Sequence, residues 1–174
     1  MEAIEALRQQ FPDHSKDIKI NVQKVLTDSK LTAPRMWGTA LACAVASRDA
    51  QLAKAVETDA LAAGVSADVL DDARAAASLM AMNNVYYRFK HFMGDDEIEK
   101  IPARLRMQRI ARPKGEKVDF ELFCLAVSTI NGCEVCVRSH AKVVLDGGLS
   151  KEEVAESVRI AATFEAAAVA LSQA

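Results

Sequence analysis

Residues 148–172, GLSKEEVAESVRIAATFEAAAVALS, carry the marks of a helix from end to end. Ser150 followed by Glu153 is a capping box, in which side chain and backbone at the first turn satisfy each other's free donors. Val154, Val158, Ala161 and Ala168 then fall on one face at the three-to-four spacing of an amphipathic helix. Just upstream, Gly147-Gly148 offers a left-handed stop for a preceding helix. The same spacing and abundant alanine run through most of the chain, with only seven glycines and four prolines as punctuation. The chain therefore reads as all-α, with helices expected near 3–10, 14–29, 34–47, 49–62, 66–91, 102–111, 119–131, 133–146 and 150–172.

Moving outward, GVSADVLDDARAAAS at 64–78 reads much like GLSKEEVAESVRIAAT at 148–163. An offset of 84 residues also pairs Leu41 with Leu125, Ala42 with Ala126, Leu61 with Leu145 and Ala77 with Ala161. It keeps a Gly-x-Ser junction at Gly64 and Gly148. A single domain over 1–174 is expected, made of pseudo-repeat halves at about 34–90 and 119–174. Trp37 stands where Glu121 does and Asp49 where Cys133 does, so only the second half carries chemistry.

A chain of 174 residues buries roughly 70% of its unfolded surface and needs no covalent staple. Its four cysteines lack the scatter of a secreted scaffold, which fits a reducing cytoplasm with one functional pair. The N-terminus has charges every few residues and no apolar run of a signal peptide. No apolar stretch reaches the ~18 residues of a membrane span. Net charge is −2 with both signs interspersed, so no nucleic-acid field is expected.

That pair is Cys133 and Cys136 in NGCEVCVRSH. In a helix starting near Cys133, residues 133, 136 and 140 share a face, so His140 can reach Cys136. Cys133 lies two turns away, roughly 10 Å. Gly132 permits a sharp turn before the pair, and the free N–H groups of the first turn favour a thiolate there. Sulfurs three residues apart also permit a reversible disulfide. Glu121, the only charged residue from Phe120 through Cys133, has two readings: a first-turn carboxylate suited to the helix dipole, with Asp119 as cap, or the group that orients His140.

Other readings stay open. Cys133, Cys136, His140 and Glu121 could supply a zinc site or a redox-sensing module, although structural zinc usually draws on two such knuckles. No βαβ pattern supports a thioredoxin fold, and Val137 after the second cysteine excludes a covalent haem motif. Cys43 and Cys124 sit in apolar runs and read as core. His14 and His91 read as solvated, as does Glu165, whose alternative is an acid approaching the site. Tyr86, Tyr87, Phe89 and Phe92 read as core or interface.

Together these residues resemble the alkyl hydroperoxide reductase D family of the carboxymuconolactone-decarboxylase-like group. DIKIN, MWGTALA at 36–42, MAMNNVYYR at 80–88, LRMQRIARP at 105–113 and FELFCLAVSTINGC at 120–133 carry the resemblance over nearly the whole chain. Its signature is a glutamate, eleven residues, CxxC, three residues and a histidine, which Glu121, Cys133, Cys136 and His140 meet. The resemblance implies catalytic roles for these four and a homotrimer with no bound cofactor or metal. It implies peroxide defence, with electrons passing from dihydrolipoamide on a lipoylated acyltransferase to a peroxiredoxin, alkyl hydroperoxide reductase C, and weak hydroperoxide reduction by the protein alone. A lactone decarboxylase of the same superfamily would not need the CxxC. One departure stands out: the family's relay histidine between the cysteines is replaced by Glu134-Val135.

Overall fold

The computed structural model describes all 174 residues and contains helices but no strands. In chain order these are α1 (Glu2–Arg8), a 3-10 turn (Asp13–Ser15), α2 (Lys16–Thr27), α3 (Ala33–Ala46), α4 (Ala50–Ala62) and α5 (Ala67–Met93). They are followed by α6 (Asp96–Lys100), α7 (Gln108–Ala111), α8 (Lys117–Ile130), α9 (Glu134–Asp146) and α10 (Lys151–Leu171). None is long and apolar enough to cross a membrane.

Two helices form the centre because their middles carry almost no charge. Every residue of α3 from Met36 to Ala44 is buried, and every residue of α8 from Phe120 to Ser128. They pack on each other, with α5 and α10 against both. Gly38 sets the approach: a Cβ there would lie 2.2 Å from Cζ of Phe123, so only glycine lets the ring lie on α3. On the outside, α4 covers α3, α9 covers α8, α2 lies on α10 and α1 on α4. One continuous apolar core results, running from Ile4 to Ala170.

Three successive helices start 84 residues apart: α3 and α8, α4 and α9, α5 and α10. Their junctions share geometry as well. Gly64 and Gly148 both have left-handed φ, +80° and +95°, closing α4 and α9. Arg48 at +61° and Gly132 at +64° lead into α4 and α9. The capping box of α10 is formed, with Glu153 N donating to Ser150 Oγ (3.1 Å) and Ser150 N to Glu153 Oε2 (2.8 Å).

One expected helix is mostly absent. Of 102–111, only Gln108–Ala111 is helical. Pro102 offers no N–H, and Lys90 Nζ donates to the carbonyls of Glu99 (2.8 Å) and Ile101 (2.7 Å), removing acceptors a helix would need. Residues 102–107 are instead irregular, with Arg104 at a left-handed φ of +50°, Ala103, Leu105 and Met107 half-buried and Arg104 and Arg106 exposed. That period-two alternation was visible in ARLRM. The short α6, opened by Asp95 accepting from Glu97 N and Ile98 N, was not anticipated.

Candidate active site

Residue 132 turns the chain out of α8 and into α9, and its surroundings lock that turn. Asn84 on α5 donates to Ser128 Oγ (2.9 Å) and accepts from Asn131 Nδ2 (2.8 Å), while the Arg88 guanidinium donates to the Asn131 carbonyl. Cys133 follows as the N-cap of α9, with its N–H on the Ser128 carbonyl (3.1 Å). In the equivalent place before α4, the Asp49 carboxylate accepts from Leu52 N at 2.8 Å. A helix start capped by a carboxylate in one half is occupied in the other by a cysteine whose side chain makes no cap hydrogen bond.

Cys133 and Cys136 are joined as a disulfide, with Cα atoms 5.3 Å apart. Cys133 is fully buried, whereas Cys136 keeps 7% exposure and lines a cavity of about 440 Å³. His140 and Glu121 line the same cavity. Glu121 lies on α8 four residues past its start, and only 4% of it is exposed. His140 Nδ1 lies 2.6 Å from Glu121 Oε2. A carboxylate only accepts, so Nδ1–H donates and Nε2 is not engaged by Glu121. The structure thus brings together all four residues expected from sequence, but Asp119 does not cap α8. It accepts instead from Arg35 Nε at 2.7 Å, while Arg35 Nη1 donates to Glu153 at 2.9 Å, tying α3 to α8 and α10.

Of the two residues between the cysteines, neither brings a titrating side chain to the cavity. Glu134 is exposed and pairs with Arg138 (2.8 Å) and, more loosely, with His91 (3.6 Å). Val135 contributes an apolar wall. No group of three or more His, Cys, Asp or Glu side chains is arranged to hold a metal ion.

The remaining walls were not foreseen as site residues. Asn83 and Tyr87, one turn apart on α5, face the cavity together with Met107 and Ile110 around α7. Asp72 holds α7 in place. Its buried carboxylate accepts from Arg109 Nε (2.9 Å), Lys114 N (3.1 Å) and Gly115 N (2.7 Å). Tyr86 is half-buried against Tyr87, but Phe89 and Phe92 are exposed and pack in no core of this chain. Cys43 and Cys124 are core residues. Burial pushes both thiols well above the ordinary cysteine range, and the Glu121 charge adds to the effect at Cys124. Glu165 and His14 are solvent-facing.

The carboxymuconolactone decarboxylase family model matches residues 96–174. The chain is also similar to the protein named alkyl hydroperoxide reductase AhpD in Anaeromyxobacter dehalogenans, at 53% identity covering 98% of this chain and 91% of that one. Proteins of the same name from Methylocella silvestris and Gluconacetobacter diazotrophicus match at 44% over 99% of this chain and 96% of theirs, and 47% over 97% and 92%.

Proposed function

This chain belongs to the AhpD family of alkyl hydroperoxide reductases, and from that premise we propose that it is an antioxidant thiol–disulfide oxidoreductase. It takes electrons from the dihydrolipoyl group of a lipoylated acyltransferase and delivers them to a peroxiredoxin, with weak hydroperoxide reduction of its own. The observation that carries this reading is the hydrogen-bonded Glu121–His140 pair lining one cavity with Cys136 of the CxxC disulfide.

In the reductive half, a donor thiolate attacks Cys136 Sγ, the sulfur that faces the cavity. The Cys133–Cys136 bond breaks, and Cys133 leaves as a thiolate onto the free N–H groups of α9. The donor's second thiol then displaces Cys136, so the donor departs as a disulfide and its two protons stay with the protein's dithiol system. His140 Nε2 receives the proton associated with Cys136, and Glu121 holds the imidazole in the required tautomer. In the oxidative half, the Cys136 thiolate attacks either the oxidised peroxiredoxin or the terminal oxygen of a hydroperoxide. The second route forms a sulfenic acid and releases the alcohol, and Cys133 closes the disulfide with loss of water. Dihydrolipoamide acts as a co-substrate, and the scheme uses no bound cofactor.

A homotrimer belongs to the same proposal. It is supported by the apolar stripe Val85, Phe89 and Phe92 that α5 leaves exposed.

The test is a coupled assay in which dihydrolipoamide reduces tert-butyl hydroperoxide, with and without a purified peroxiredoxin. This protein should accelerate donor oxidation in both and more strongly with the peroxiredoxin, and Cys133→Ser and Cys136→Ser should each abolish turnover. Near wild-type rates in both single variants would exclude the dithiol scheme.

A further inference from the structure

Two consecutive asparagines on α5 are buried, and they differ in one respect. Asn84 uses both ends of its amide, donating to Ser128 and accepting from Asn131, so its role in pinning the turn before Cys133 is complete. Asn83 is 4% exposed, and its Oδ1 has no hydrogen-bond partner within the chain. A buried amide oxygen without a partner is costly, about 1–3 kcal/mol, and is rare in folded proteins. Asn83 is among the residues lining the cavity that holds Glu121, Cys136 and His140, and an amide that no hydrogen bond holds by its oxygen can turn that oxygen to the cavity. Tyr87, one turn on, lines it too, while Met107, Ile110, Val135 and Val143 supply apolar walls.

We propose that Asn83 is a further substrate-binding residue of this site: its side-chain oxygen accepts the O–H of an organic hydroperoxide whose alkyl body lies against the apolar walls. The inference rests on the hydroperoxide step proposed above and names the group that orients that substrate. In the step itself the Cys136 thiolate forms a bond to the terminal oxygen and the O–O bond breaks. The hydroxyl proton, held by Asn83 Oδ1, stays with the oxygen that becomes the sulfenic acid. The departing alkoxide takes its proton from His140. The dithiol loses two electrons overall and the hydroperoxide gains them. With Val135 in the relay position, Asn83 is the neutral amide the cavity presents to a hydroxyl donor.

Asn83→Leu separates this role from a structural one, because an apolar side chain of similar shape removes an unpaired polar atom. Two readouts are taken alongside the melting temperature. The first is kcat/KM for tert-butyl hydroperoxide, compared with the rate of Cys136 alkylation by iodoacetamide in the reduced protein. The second is NMR titration of the oxidised protein with 2-phenyl-2-propanol, the alcohol counterpart of a hydroperoxide. The expected result is an unchanged or raised melting temperature, alkylation within about twofold of wild type, kcat/KM lowered tenfold or more, and alcohol affinity lowered at least fivefold. Unchanged alcohol affinity would overturn the assignment. So would a lowered melting temperature with alkylation and peroxide rates falling together. If wild type reduces no hydroperoxide while alcohol binding still depends on Asn83, the peroxidase step fails and the Asn83 site stands.

Discussion

At the residue scale, the four cysteines divide by environment rather than by type. Cys43 and Cys124 lie in the apolar interiors of α3 and α8, where burial favours the neutral thiol and pushes both titrations well up. Only the thiolate reacts, so neither contributes to chemistry near neutral pH. Native protein reduced with dihydrolipoamide and treated with iodoacetamide should take up label at pH 8 only in the 133–136 segment, at Cys136 first, and at all four cysteines only after unfolding. Labelling of all four thiols in the folded protein would contradict the burial argument. Glu121 shows the opposite pairing of burial and use. Glu121 is this deep with His140 Nδ1 2.6 Å from its Oε2, which makes the two a hydrogen-bonded unit rather than a helix-start charge.

At the element scale, the α3–α8 contact and the start of α10 each turn on one side chain. Placing a methyl group at Gly38 drives it into the Phe123 ring, an overpacking expected to cost about 1–3 kcal/mol. Gly38→Ala should therefore lower the melting temperature by several degrees, and Phe123→Leu in the same chain should recover part of the loss. An unchanged melting temperature in the single variant would show that the ring moves freely. In the capping box, the Ser150 backbone N–H holds the Glu153 carboxyl below its ordinary range, with Ser150 Oγ and Arg35 adding to it. A depressed carboxyl contributes stability that is complete above the unfolded value, about 4.3, and is lost as pH falls through the folded one. Glu153→Gln keeps the box but does not titrate. Its denaturant midpoint should fall less than that of wild type between pH 5 and 3; parallel curves would remove Glu153 from the acid response.

At the scale of the whole molecule, the chain buries its own core yet leaves Phe92 at 75% and Val85 at 60% exposure along one stripe of α5. If that stripe is the assembly face, sedimentation should give about three times the 18.9 kDa chain mass, and Phe89→Ser with Phe92→Ser should release monomers. A monomeric wild type would end the trimer proposal. The all-α class, the capping box and the two core cysteines were legible in sequence because each rests on spacing within a helix or on a short motif, whereas Glu121 joined Cys133, Cys136 and His140 only through a family signature. The irregular path of 102–107 was misread because Lys90 on α5 takes the carbonyls of Glu99 and Ile101, although the alternation in ARLRM was a local clue. Tertiary structure alone decided that Asp119 binds Arg35 instead of capping α8, that Glu121 meets His140, and that Asn83 and Tyr87 join Met107 and Ile110 around Cys136. The physical reason is the same in each case. A helix's period places side chains on a face, but what that face meets depends on how α5, α7, α8 and α9 pack, and no local pattern encodes that distance.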